Sequence, residues 1–201
     1  MTNLVGIITS SVAQVILFAV VPLIWWFVKA RNEASFFSWV GLKKPQITNR
    51  RSFEVLFGVT TLGFFALMLI VIPQLVAGED MATSQFAGKG LSALVPALIY
   101  AFIQTGFSEE LLFRGFLAKQ LISCLGFNLG NFIQGLLFGI LHGAMFMTST
   151  GAFGALVITV LTGLIGWVMG YLNEKLAQGS IIPSWILHGI SNTLSALIVL
   201  F

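Results

Sequence analysis

The chain has 201 residues, of which 57% are hydrophobic and only 8% charged, with a mean hydropathy of +0.98 and a net charge of +3. A soluble domain of this size has no use for so much apolar surface, several apolar runs exceed the roughly 18 residues that mark a membrane helix, and the alternating strands of about ten residues that would mark a membrane β-barrel are absent. The composition predicts an all-α, polytopic membrane protein. Most of its positive charge sits in one connection, which reads as a topology signal and not as a nucleic-acid site. The single cysteine, Cys124, excludes an internal disulfide and a multi-cysteine metal site.

In chain order, the N-terminal MTNLVGIITSSVAQ has no positive leader region and reads as the start of a retained helix. Six spans are expected, at about Val5–Val28, Phe53–Val76, Leu91–Glu110, Phe127–Phe146, Phe153–Leu172 and Ile182–Leu200. The first connection carries Lys29, Arg31, Lys43, Lys44, Arg50 and Arg51, so the positive-inside rule places it in the cytoplasm of a cell-membrane protein with both termini outside. Within it, Ala34–Val40 reads as a short interfacial helix. The next loop, Ala77–Gly90, holds Glu79 and Asp80 and falls on the opposite side. Trp25, Trp26, Trp39, Trp167 and Trp185 gather towards the basic side as an aromatic belt. Gly139 with Gly143, and Gly163, Gly166 and Gly170, follow small-xxx-small packing spacing. The chain reads as one domain over 1–201, with two spans and the basic loop in 1–90 and a four-span core in 91–201.

The stretch QTGFSEELLFRGFLAK, Gln104–Lys119, concentrates charge inside an apolar run. A charged side chain at the centre of a membrane helix costs about 2.5–3.5 kcal/mol on insertion scales, so such residues face a cavity or a partner. Glu110 and Arg114 are i,i+4 neighbours and can pair, whereas Glu109 points about 100° away and has no such local partner. Gln104 and Ser108 stand beside the glutamates in sequence.

Both histidines also fall within spans. Asn131, Gln134, Phe138 and His142 recur along one face of the fourth, and Ser184, His188, Ser191, Asn192 and Ser195 form a polar stripe on the sixth. If the glutamate helix continues past Arg114 and turns near Leu125–Gly126, Glu109 and His142 come level in a helical hairpin, with His188 about a turn beyond Pro183. Glu109, His142, His188 and Asn192 are then expected to face one cavity open to the cytoplasm. That set suits hydrolysis: Glu109 as general base, His142 holding the same water, and His188 with Asn192 donating to an oxyanion. No serine has an evident His–Asp partnership. Glu109, His142 and His188 are the residues that would hold a zinc ion, and although HExxH is absent, the zinc reading stays open.

At these positions the sequence resembles the CAAX protease and bacteriocin-processing (Abi) family of intramembrane endopeptidases, in its short bacterial form. The resemblance rests on three motifs in order: EELLFR with Glu109, Glu110 and Arg114; FGILH with Phe138 and His142; and HGISN with His188 and Asn192. It covers roughly residues 91–201. It implies a peptidase whose Glu109 and His142 activate the attacking water, whose His188 and Asn192 stabilise the oxyanion, and whose Arg114 is structural. It also implies a peptide or lipidated protein as substrate and membrane lipid as surroundings. The alternatives are a non-catalytic, peptide-binding self-immunity protein, a proton- or ion-coupled carrier relaying through Glu109 and His142, and a bis-histidine haem site.

Overall fold

A computed structural model describes residues 4–76 and 81–201. These residues form helices and no strand. The long helices are α1 (Leu4–Lys29), α3 (Arg50–Leu75), the helical run Gly90–Leu176, and α7 (Ile182–Leu200), each long and apolar enough to cross a membrane. The chain is therefore an all-α, polytopic membrane protein. Between α1 and α3 lies the short α2 (Phe36–Trp39), whose N-cap Ser35 accepts from the Ser38 amide. A 3₁₀ segment, Ala82–Phe86, precedes the long run. Glu79 and Asp80, expected in the loop outside, lie outside the described residues.

The run Gly90–Leu176 is not one rod. Its backbone leaves the helical region at Gly126 (φ 76°, ψ 166°) and Gly151 (φ 67°, ψ −179°), conformations that only a residue without Cβ adopts readily. The two glycines divide it into α4 (90–125), α5 (127–150) and α6 (152–176). α5 folds back on α6 where a Cβ on Gly139 would strike the Thr159 carbonyl and Gly163, the close approach that small residues permit between membrane helices. α4 reaches well beyond Glu110, the expected end of the third span. It is also wound unusually: Tyr100–Phe107 and Leu111–Ala118 are π-helical, separated by one α turn, Ser108–Glu110. Such i→i+5 winding is rare and concentrates at functional sites.

The two ends of the bundle differ. At one end the basic connection meets the α6–α7 turn. There Ile181 donates its amide to the Gly41 carbonyl, Ser180 Oγ to the Lys43 carbonyl, and Thr48 its amide to the Leu176 carbonyl. Lys119 Nζ bridges Glu174 Oε1 at 2.7 Å and the Gly179 carbonyl at 2.9 Å. Trp25 and Trp39 pack on Phe116 nearby. At the other end, Ile7, Phe86, Ala97, Tyr100, Ala196 and Leu200 form an apolar cluster. Helix α7 packs along the π-wound part of α4, and a Cβ at Gly189 would overlap the Phe102 ring. The first turn of α7 leaves amide donors without intrahelical partners; Asn173 Oδ1 accepts from the Ser184 amide and Ser180 Oγ from that of Ile182.

Candidate active site

The two adjacent glutamates have different surroundings. Glu110 is wholly buried, and its Oε1 accepts from Arg114 Nη1 at 2.9 Å and from His188 Nδ1 at 3.0 Å. Arg114 is equally buried, with its guanidinium 4.0 Å above the Phe138 ring and one amino group 3.8 Å from Met169 Sδ. Burying two charges is tolerated when each has a partner, and removing one partner costs about 3–5 kcal/mol. Glu109 lies on the neighbouring face. Its Oε2 is buried without a hydrogen-bond partner, 3.9 Å from His142 Nε2 and 3.8 Å from His188 Nε2.

The hydrogen bonds fix the histidine tautomers. His142 Nδ1 lies 2.9 Å from the Phe138 carbonyl, which can only accept, so Nδ1 carries the proton. His188 Nδ1 likewise donates to Glu110. In the neutral rings both Nε2 atoms are acceptors, and both converge on another acceptor, Glu109 Oε2. Three lone-pair sites facing one point call for a donor between them. Asn192 completes the group: its Nδ2 donates to Thr105 Oγ1 at 2.7 Å, while the Thr105 hydroxyl donates to the Tyr100 carbonyl at 3.1 Å. Because that hydroxyl proton is already used, the amide must present Nδ2 to Thr105. One N–H of Asn192 is thereby engaged and the second is left over.

Glu109, His142, His188 and Asn192 line one cavity of about 130 Å³. Its lining also includes Leu67, Met68 and Ile72 of α3, Met145 and Phe146 of α5, Ile158 and Thr162 of α6, and Met81–Thr83, on the side away from the basic connection. Glu110, Arg114, Phe138 and Met169, all buried, fill the bundle on the basic side of Glu109.

The spacing also bears on zinc. Zinc ligand atoms sit about 2.0–2.1 Å from the metal in tetrahedral sites, which places neighbouring ligands closer together than the 3.8–3.9 Å seen around Glu109. Among the described residues, no group of three His, Cys, Asp or Glu is gathered tightly enough to hold a metal ion. As they stand these side chains fit a water better than a zinc ion.

Several polar residues of the sequence pattern lie elsewhere. Gln104 and Ser108 turn towards α1, where Gln104 bonds Ser10 and Gln14, and Gln14 Nε2 donates to Ser108. Asn131 and Gln134 hold α5 to α6 by donating to the carbonyls of Trp167 and Gly166. Ser184 belongs to the Asn173 cap. Conversely, the sequence reading passes over Thr105, because a threonine bonding back to its own helix looks unremarkable. Its partner Asn192 lies 87 positions away.

Fold and cavity together define a multi-pass helical membrane protein with an acid–imidazole–amide group inside the bundle. Residues 91–194, over half of the chain, match the type II CAAX prenyl endopeptidase Rce1-like family, and the chain belongs to that family. It is a family of proteases, hydrolases whose substrates are peptides or proteins in a membrane setting. No match was found among curated proteins or among solved structures. The matched stretch contains all three motifs and leaves α1 to α3 outside it.

Proposed function

We propose that this protein is an intramembrane endopeptidase of membrane-associated peptides or lipidated proteins, working through a water held by Glu109 and His142. The observation that carries the reading is the convergence of Glu109 Oε2 with the two Nε2 atoms at 3.8–3.9 Å, each ring anchored through its own Nδ1. A water between Glu109 and His142 donates to both and turns a lone pair towards a peptide carbonyl. As its oxygen attacks, Glu109 takes the proton, and the carbonyl oxygen becomes the oxyanion. The second N–H of Asn192 supports that oxyanion, joined by His188 Nε2–H when that ring is doubly protonated. Glu109 then returns its proton to the departing amine as the C–N bond breaks. Glu110 and Arg114 position His188 and do not touch the substrate.

The test is cleavage of a quenched peptide library by detergent-purified protein. Wild type is expected to cleave with a chelator present, and Glu109→Gln to remain folded with a rate about 10²–10⁴-fold lower. Full turnover by Glu109→Gln would overturn the assignment. Peptide binding without cleavage by either protein would favour the self-immunity reading.

The distribution of Lys and Arg supports a cell-membrane orientation with the basic connection in the cytoplasm. In that orientation the cavity extends towards the outer leaflet. A cysteine at Lys43 is expected to resist membrane-impermeant thiol reagents in intact cells, and labelling there would invert the orientation.

A further inference from the structure

Helix α4 changes its winding just before Glu109. Over Tyr100–Phe107 it closes i→i+5 turns, and at Ser108–Glu110 it returns to α. A turn closed one residue later takes up one more residue, so each position after it lags a regular helix by one step, about 100° around the axis. Without that extra residue, and with the helix held at Tyr100, Ser108 would stand at the angle that Glu109 now occupies. The winding therefore decides which side chain meets the histidines. An α turn is the usual alternative, and the choice between the two falls to contacts from outside the helix. We propose that Trp185 makes that choice: it is a positioning residue that holds α4 in the i→i+5 winding and so turns Glu109 towards His142 and His188. The inference rests on the peptidase reading above and adds a residue that acts without touching the substrate.

Three observations support it. The first is that Trp185 touches both ends of one such turn. Its indole N–H donates at 2.6 Å to the Phe102 carbonyl, and its ring packs on that of Phe107, five residues on, with centroids 5.1 Å apart. The second is the fit of α7 against the same turn. Gly189, about one turn after Trp185, leaves room for the Phe102 ring, which a Cβ there would strike. Trp185 and Gly189 thus grip Phe102 by its carbonyl and by its ring. The third is the register of the threonines. Thr60, Thr162 and Thr193 each donate to the carbonyl four residues back. Thr105 instead reaches Tyr100, five back, at 3.1 Å, with Ala101 farther at 3.5 Å. The same hydroxyl accepts from Asn192, so the winding bears on that side chain as well. Clamp and site share two helices: Trp185 stands three residues before His188 on α7, and Phe107 two before Glu109 on α4. A change of winding at Phe102 is carried directly into the approach of Glu109 to both imidazoles.

The experiment removes the N–H and keeps the ring. In the full chain, Trp185 is replaced site-specifically by 3-benzothienylalanine, which has the shape of tryptophan with sulfur in place of the indole N–H. The loss of one neutral hydrogen bond shifts an equilibrium about fivefold, so kcat is expected to fall about fivefold with KM unchanged. The same replacement at Trp167, which lies on the lipid-facing side of α6 and is 39% exposed, is expected to change nothing. A second arm reads the winding without catalysis. Ser108 is wholly buried, and the α winding would turn it to the place of Glu109 in the cavity. In a Cys124→Ser background, the rate at which Ser108→Cys reacts with a small methanethiosulfonate reagent is therefore expected to rise about fivefold with the replacement at 185. A role confined to packing would leave both readings at their starting values. That result, or a lower kcat with an unchanged labelling rate, overturns the hold of Trp185 on the winding and leaves the peptidase reading standing. Absence of cleavage by the unmodified protein overturns the peptidase reading, while the labelling arm still supports the hold if the rate rises and overturns it if the rate stays the same.

Discussion

The two halves of the bundle differ in how their interior is filled. On the basic side of Glu109 polar side chains are tied in pairs, Arg114 with Glu110, Lys119 with Glu174, Gln134 with Gly166 and Asn173 with Ser184, although Glu110 Oε2, Arg114 Nε and Gln134 Oε1 are buried without a hydrogen-bond partner. On the far side the helices part around a cavity, and there Glu109 Oε2 has no partner. A buried acceptor left without a donor costs stability. What sets the hollow half apart is its space, lined by Glu109 and by both histidines with their Nε2 atoms turned to Glu109 Oε2, the arrangement that the proposed hydrolysis needs, while the filled half holds it in place. His188 joins them, with Nδ1 in the filled half and Nε2 in the hollow one.

Substitutions should separate the halves. In the filled half, Arg114→Met leaves Glu110 buried without its cation, and is expected to destabilise the protein by about 3–5 kcal/mol. Thermal unfolding in detergent would show it as a large drop in midpoint and yield. The double variant Glu110→Leu with Arg114→Met removes both charges and should recover much of that loss, while cleavage stays impaired because His188 has lost its anchor. In the hollow half, Asn192→Ala is expected to lower kcat about 10²–10³-fold, the range for losing one oxyanion donor, with little change in unfolding.

Thr105→Val sharpens the comparison, since it keeps the side-chain shape and removes the acceptor that fixes the Asn192 amide. A typical hydrogen bond is worth about 1 kcal/mol, so kcat should fall about fivefold with KM unchanged, and Thr105→Ser should restore it. A role confined to packing would instead let Val match wild type. The smallest effect is expected at the basic surface: Lys119→Ala breaks a partly exposed pair with Glu174 and should cost no more than about 1 kcal/mol, leaving cleavage unaltered.

What could be read from the sequence follows the range of the interaction. The Glu110–Arg114 pair is an i,i+4 contact, so helical spacing alone brings it together. The turn at Gly126 is a local backbone property, and its position levels Glu109 with His142. By contrast, the pairing of His188 with Glu110 joins residues 78 positions apart. Ser108 illustrates the limit: one position from Glu109 in the chain, it serves the contact with α1.

The sequence by itself determined the class of protein, the apolar helices, the asymmetry of charge and the three motifs, because hydropathy, charge and i,i+4 spacing are properties of short stretches of chain. Only the tertiary structure decided which side of Glu109 is filled, that Thr105 orients Asn192, and that Glu109, His142, His188 and Asn192 line one cavity. Those depend on how helices distant in sequence meet, and on whether the space between them is occupied by side chains such as Phe138 and Met169 or left open.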